Sequence, residues 1–148
     1  MGPAPLEDLI ASFAKLPGIG RVTAQRLALH VLKRPREEAE LLANALVAAK
    51  DGIHYCSECF NFTERDSERC AICRDTRRDE RCICVVEEAS DVLVLEANQI
   101  HRGVFHVLGG LLSPLEGIAP EDLRIDELVA RAQRVQASEV ILALNAGP

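Results

Sequence analysis

The sequence predicts an α+β protein of three modules in series: a helical N-terminal part, a four-cysteine zinc module and an α/β part with a parallel sheet. Three observations predict it. Apolar residues recur with helical spacing up to residue 50, two Cys-x-x-Cys pairs follow, and short apolar runs then alternate with helical stretches. A chain of 148 residues accommodates one ordinary domain or two to three small modules. The predicted boundaries are 1–53, 54–76 and 80–148.

The first module contains three predicted helices. The first covers Leu6–Lys15, the second runs from Arg21 to the Lys33–Pro35 stretch, and the third covers about Arg36–Lys50, where Asp51-Gly52 ends it. The predicted apolar stripe of the third helix consists of Ala39, Leu42, Ala43, Leu46 and Val47.

A glycine-containing turn, Leu16-Pro-Gly-Ile-Gly20, separates the first two helices and looks like the hairpin of the helix–hairpin–helix motif of DNA-binding proteins. Gly18 and Gly20 permit positive φ, and without Cβ atoms they let the backbone approach a phosphate closely. The N–H groups of the next helix then hold the anion. Arg21 and Arg26 are candidate contacts to neighbouring phosphates, which position a protein without reading bases. A plain turn between helices is the alternative.

Charge is unevenly distributed along the chain. The net charge is −6, yet residues 1–53 carry +1 and residues 85–148 carry −6. Between Lys15 and Arg36 there is no acidic residue, which indicates a polyanionic partner at this end and a different partner at the acidic end; a solvated helix face is the alternative. Aromatic residues make up only 3% of the chain, which argues against DNA binding by base stacking.

Two Cys-x-x-Cys pairs ten residues apart predict a tetrahedral site for one structural Zn²⁺ per chain. Four thiolates leave no open position for a substrate, so this metal is not catalytic. Disulfides and an iron–sulfur cluster are the alternatives. The predicted ligands are Cys56, Cys59, Cys70 and Cys73.

The cysteines also bear on location. Thiolate ligands fit a reducing cytoplasm, no apolar run approaches the length of a membrane span, and the N-terminus does not resemble an export signal. We expect a cytoplasmic protein with no membrane partner.

After the cysteines, strands alternate with helices. The predicted strands are Cys82–Val86, Gly103–Leu108 and Glu139–Ala143, and the helices are Ser90–Ala97 and most of Glu121–Gln136. This order predicts a parallel sheet. Because the sequence stops directly after a strand, where a ligand-facing loop begins in such sheets, we expect an incomplete sheet from a truncated chain or one with a disordered remainder.

Acidic residues follow the first of these strands. Glu87, with Glu88 and Asp91 nearby, is a candidate Mg²⁺ site, but phosphoryl chemistry needs more than one carboxylate around the ion. The third strand ends at Asn145 without a carboxylate. Helix N-terminal acids that complement the helix dipole are the alternative, and we expect no catalysis.

The order of these modules, with the motifs Ile83–Glu88, Val107–Gly110 and Leu112–Gly117, resembles the RecR family of bacterial recombination mediator proteins over essentially the whole chain. The resemblance implies an N-terminal helix–hairpin–helix domain, a four-cysteine zinc finger and a Toprim domain. It implies a non-catalytic, DNA-binding mediator in recombinational DNA repair that acts with RecO, and in some settings RecF, to load RecA onto single-stranded DNA. Glu87 matches the Toprim glutamate.

Several features of the family bear on single residues. Asn145 and Gly147 stand where catalytic Toprim enzymes carry aspartates. The family usually has Pro-Lys where this chain has Arg21-Val22, which removes one expected phosphate contact, whereas Arg26 matches.

The resemblance also implies a homo-oligomer, a dimer or a ring-like tetramer able to encircle DNA. The family's chain continues past Pro148 with an acidic segment tied to RecO binding and a region used in subunit contacts. Without them we expect assembly to stop at a dimer formed by the N-terminal helices. A Mg²⁺-dependent Toprim nuclease or primase-like enzyme and a protein-interaction scaffold are the alternative functions.

Overall fold

The structure, a computed structural model, describes residues 2–110 and 116–145. The chain divides into two compact units, Met1–Asp51 and Gly52–Pro148. Most of the Leu112–Gly117 motif and all of Gly147 lie outside the described residues. Within the described ranges, every helix is too short or too polar to cross a bilayer.

The first unit consists of α1 (Ala4–Ala14), α2 (Arg21–Lys33) and α3 (Arg36–Gly52). The helix α1 packs on α2 through Ile10, Ala24 and Ala28, all buried. The two alanines lie one turn apart on the same face of α2, and their small side chains let the two helices approach closely. The expected helices are therefore present, with α1 starting slightly earlier than predicted because prolines are tolerated in a first turn.

The apolar stripe of α3 differs from the prediction. The helix has no buried residue, and it continues to Gly52 instead of ending before it. Its large apolar side chains face solvent in the single chain, led by Leu41 at 70% and Leu46 at 63% exposure. The helical period therefore identified the helix correctly, but among the described residues the large side chains of its stripe stay exposed and Ala39 alone is partly buried.

The second unit begins with the zinc module. Strand β1 (Ile53–Tyr55) pairs antiparallel with β2 (Phe62–Glu64), so that Tyr55 lies opposite Phe62, and the short helix α4 (Ala71–Arg74) follows. These strands were missed in the sequence because three residues are too few for an alternating pattern to be recognised.

The predicted parallel sheet is confirmed, with the order β4-β3-β5. Its elements are β3 (Asp79–Val86), α5 (Ala89–Ala97), β4 (Gly103–Val107), α6 (Ile125–Val135) and β5 (Glu139–Leu142). The predicted helix Glu121–Gln136 begins only at Ile125, because Pro120–Asp122 forms a separate 3-10 turn.

Side chains of the sheet alternate between two apolar layers. Ile83 and Val85 pack with Leu123 and the apolar face of α6, whereas Cys84 and Val86 pack with Val92 of α5 on the opposite face. Phe60 and Ile72 of the zinc module join the second layer. The carboxyl ends of β3 and β4 thereby lie beside the zinc module.

Candidate functional site

The hairpin between α1 and α2 is a tight turn in which the Ile19 N–H donates to the Leu16 carbonyl at 3.1 Å. Gly18 has φ of +78°, a conformation that a side chain would strain. Gly20 precedes α2 with φ of −83°, so of these two glycines Gly18 alone adopts the positive φ that glycine permits.

The N-terminus of α2 is open. Among the residues that the structure describes, no side chain caps it, so the N–H groups of its first turn have no acceptor from a capping side chain there. A Cβ at Gly20 would meet no atom within 4 Å, so packing within the chain does not require glycine at this position. The helix end combines free donors, the positive end of the helix dipole and room for a close anion.

The basic stretch around the hairpin is partly neutralised in three dimensions. Arg21 pairs with Glu7 of α1 at 2.7 Å, and Arg34 pairs with Glu38 at 2.6 Å. A hydrogen bond from the Gly2 N–H, followed by one from Arg21, lowers the pKa of Glu7, so this carboxylate is ionised at neutral pH. The sequence did not indicate this pairing because Glu7 lies fourteen positions from Arg21.

Of the other basic side chains in this stretch, one is paired with an acid and three remain available to an anion. Arg36 pairs with Glu40, whereas Lys15, Arg26 and Lys33 are exposed and form no ion pair within the described residues. Of the two predicted arginine contacts, Arg26 is therefore free to bind an anion, and Arg21 must first leave Glu7.

The four predicted zinc ligands converge. All are buried, and their sulfur atoms lie within 4.8 Å of one another. The Sγ atoms of Cys59 and Cys70 are 3.6 Å apart. A tetrahedral Zn²⁺ with Zn–S bonds of about 2.3 Å requires sulfurs about 3.8 Å apart, so the residues fit this ion.

Backbone hydrogen bonds hold the sulfurs in place. The turn between β1 and β2 carries Cys56 and Cys59, and Phe60 adopts φ of +64° within it. The Asn61 N–H donates to Cys59 Sγ at 3.4 Å, and the Cys70 N–H donates to Cys56 Sγ at 3.3 Å. Such donors favour thiolates over thiols.

The four thiols lie too close together to ionise independently. Hydrogen bonds from Cys59, Cys70 and Cys73 hold the pKa of Cys56 below its ordinary value, and the hydrogen bond with Cys56 raises the pKa of Cys59. Four thiolates this close do not coexist without a positive ion between them.

A buried arginine that sequence reasoning missed lies beside the cysteines. Arg131 of α6 is 4% exposed, donates to the Phe105 carbonyl at 2.7 Å and lies 3.8 Å from Cys73 Sγ. It also approaches Glu58, which stands between the first two ligands, at 3.6 Å, and the exposed Arg134 binds the same carboxylate at 2.8 Å. Only the helical spacing of the two arginines could have indicated this pair.

Glu87, the predicted Toprim acid, meets hydrogen-bond donors instead of a second acid. Its carboxylate accepts from the Asn145 N–H at 2.5 Å and lies 3.4 Å from the Asn145 side-chain nitrogen. At the start of α5 the Asp91 carboxylate accepts from the Glu88 N–H at 3.0 Å, so the acid in this first turn has a helix-terminal role. Among the described residues, the cysteine cluster is the single group of three or more ligands arranged for a metal.

Comparison with protein families matches three regions of the chain. Residues 6–50 match the RecR helix–hairpin–helix model, residues 53–75 match the RecR four-cysteine zinc finger model, and residues 81–146 match a Toprim domain model. With the convergent buried cysteines, the zinc finger match makes the cysteine cluster a structural zinc site.

Curated relatives match nearly the whole chain. The recombination protein RecR of Chlorobium phaeobacteroides is 51% identical over 144 residues, covering 95% of this chain and 70% of the relative. RecR of Moorella thermoacetica is 53% identical over 144 residues, covering 97% and 71%. RecR of Myxococcus xanthus is 50% identical over 145 residues, covering 98% and 73%.

Proposed function

The chain belongs to the RecR family of recombination proteins, and from this premise we propose that it is a non-catalytic DNA-binding mediator of recombinational repair. It acts in the cytoplasm, at the nucleoid, with RecO and in some settings RecF to load RecA onto single-stranded DNA. The open N-terminus of α2 is the observation that carries the DNA-binding part.

The proposed DNA contact is to the phosphate backbone. The backbone at Gly18 and Gly20 lies next to one phosphate, whose oxygens accept from the first-turn N–H groups. Arg26 binds a neighbouring phosphate, and Arg21 does so after exchanging Glu7 for DNA.

The surroundings of Glu87 support the proposed lack of catalysis. Its oxygens accept hydrogen bonds from Asn145, and a Mg²⁺ site needs several oxygen lone pairs that converge on the ion. We expect neither DNA cleavage nor primer synthesis on addition of Mg²⁺. Either activity, abolished by Glu87→Gln, would replace this proposal with an enzyme.

The proposed partners use two further surfaces. The acidic region 85–148 suits a basic partner protein, for which RecO is the candidate.

The uncovered apolar stripe of α3 suits a second copy of the chain, which makes the protein a homo-oligomer: a dimer, or a tetrameric ring where the chain is full length. Light scattering of wild type and Leu46→Lys tests the second point, and equal masses at the monomer value contradict it.

A salt titration tests DNA binding. Zinc-loaded protein is titrated onto a labelled oligonucleotide, and each lost phosphate contact should flatten the log–log salt slope by roughly 0.7–0.9. We expect a flatter slope for Arg26→Ala. Gly20→Ala should bind DNA more weakly at unchanged stability. Glu7→Gln should bind DNA more tightly, because it releases Arg21. Lys50→Ala, near the end of α3, is the control of equal charge loss. Equal slopes in all variants would mean that DNA does not bind at the hairpin.

A further inference from the structure

Three of the five aromatic rings in the chain gather around one cavity of the second unit, although the overall aromatic content is only 3%. Tyr55 and Phe62 face each other across the β1–β2 pair, with ring centroids 5.6 Å apart and planes 17° from parallel. They are 58% and 55% exposed. The chain thus presents a flat aromatic pair to solvent, which its composition did not predict.

The cavity that adjoins these rings has a volume of about 320 Å³. Phe60 forms part of its wall, together with residues that directly follow β3 and β4, among them Glu88 and Gly109. Ligands of open α/β sheets bind at the carboxyl ends of strands, and this volume lies within the range of small-ligand sites, roughly 300–1,000 Å³.

The polar groups of the cavity can recognise the edge of a planar ring. The Arg124 guanidinium lies 4.7 Å from the centre of the Phe60 ring and supplies donors. The carboxylates of Glu88 and Asp122 supply acceptors, although one oxygen of Asp122 already accepts from the Ala119 N–H at 2.8 Å. These carboxylates repel a phosphate, so they favour an uncharged ring inside the cavity with any phosphates outside it.

We propose that this cavity binds one unpaired nucleobase of single-stranded DNA, stacked on the Tyr55–Phe62 pair. Aromatic faces that stack bases, next to an arginine, are the usual means of binding unpaired strands. Cytosine is favoured, because carboxylates accept from its N4 amino group. The proposal rests on the DNA binding proposed above: the hairpin holds the backbone, whereas this site distinguishes an unpaired strand from a duplex.

Tyr55 supplies a direct reporter. It is the single tyrosine of a chain without tryptophan, so tyrosine emission measures the surroundings of this ring. Zinc-loaded protein is titrated with oligo(dC) and with an abasic oligonucleotide of equal length, and absorption by the DNA is corrected with free N-acetyl-tyrosinamide. We expect quenching by oligo(dC) and none by the abasic strand.

Affinity measured by anisotropy provides the second readout. Phe62→Ala should weaken binding of oligo(dC) about 5- to 150-fold and leave binding of the abasic strand unchanged. Ile100→Ala, which removes another exposed apolar side chain of the same unit, is the control and should change neither.

The outcomes separate the two proposals. If both strands bind with equal affinity and tyrosine emission stays constant, the base site is overturned while the hairpin contact stands, and a basic peptide becomes the candidate occupant of the cavity. If Arg26→Ala weakens both strands and Phe62→Ala weakens oligo(dC) alone, both proposals are supported. If neither strand binds, both are overturned.

Discussion

The chain brings metal-binding residue types together at two places, and they differ in what the neighbouring groups offer. At the cysteine cluster four sulfur atoms converge, and N–H donors support their negative charge. At the end of β3, Glu87 is met by two nitrogen atoms of Asn145. A metal site needs converging lone pairs, so the first place holds an ion and the second holds hydrogen bonds.

The end of β3 differs from an ion site in the groups that surround its acid. The strands still place Glu87 and Asn145 side by side at the carboxyl edge of the sheet, where the fold family places its ligands. The side chain beside Glu87 is the Asn145 amide and not a second carboxylate. Its contact with Glu87 joins the segments after β3 and β5. The metal in this chain is used for stability instead.

Removal of zinc should have the largest effect on the stability of the protein. Zinc binding contributes roughly 10–16 kcal/mol in isolated zinc peptides, and the module contains little apolar core besides its cysteines. We expect Cys70→Ser to abolish stoichiometric zinc and to lower Tm by more than about 10 °C in calorimetry. Cys82→Ser, outside the cluster, is the matched control. A Cys70→Ser protein with full zinc content would mean that these four cysteines do not bind the ion together.

Loss of Arg131 should have the next largest effect. Its guanidinium is buried between Phe105, Glu58 and Cys73, so Arg131→Met leaves the Phe105 carbonyl and the Cys73 sulfur without this donor, whereas Glu58 keeps Arg134. Leaving a buried carbonyl without its donor costs about 1–3 kcal/mol, which lowers Tm by roughly 5 °C. Zinc transfer to a chelator should also become faster, since a cation that stabilises the Cys73 thiolate is gone.

The neighbouring Arg134 provides the control for this experiment. It binds the same Glu58 carboxylate, but its side chain is 57% exposed, and exposed ion pairs contribute roughly 0–1 kcal/mol. Arg134→Met should therefore change neither Tm nor zinc release appreciably. Equal effects of both substitutions would mean that burial beside the cysteines is not what makes Arg131 important.

Features with a local signature could be predicted from the sequence. The spacing of the cysteines identified the metal site, the PGIG turn identified the hairpin, and the continuous apolar run at Cys82–Val86 identified the buried central strand. Each depends on residues close together in the chain. The sequence also indicated that the third strand ends at Asn145 without a carboxylate, but it did not predict the hydrogen bond from Asn145 to Glu87.

Features that depend on distant residues could not be predicted. The pairing of Glu7 with Arg21 crosses a turn, and Arg131 lies 58 positions from Cys73. Composition averages over the chain, so it concealed the aromatic pair formed by Tyr55 and Phe62. Periodicity marks which face of α3 is apolar but not whether the chain itself covers it.

A second carboxylate placed beside Glu87 should have a moderate effect on stability. Asn145→Asp places a second carboxylate against Glu87, and the repulsion should lower Tm by a few degrees, equivalent to about 1 kcal/mol. Millimolar Mg²⁺ should restore Tm in this variant and leave wild type unchanged. Asn145→Ala, which removes the amide without adding charge, should not respond to Mg²⁺. Stabilisation of the wild-type protein by Mg²⁺ would mean that Glu87 and Asn145 already bind an ion.

The smallest effect is expected for Glu87→Gln. The glutamine oxygen still accepts from the Asn145 N–H, and the side chain is only half-buried, so the free energy of unfolding in urea should change by no more than about 0.5 kcal/mol. Zinc content and the DNA salt slope should also stay constant, since neither the cysteines nor the hairpin uses this carboxylate. An enzyme that needs Glu87 for Mg²⁺ predicts an equally small change in stability, but it also predicts that wild type responds to Mg²⁺ and that Glu87→Gln abolishes this response. The substitution therefore separates a residue that joins two strand ends from one that holds a catalytic ion.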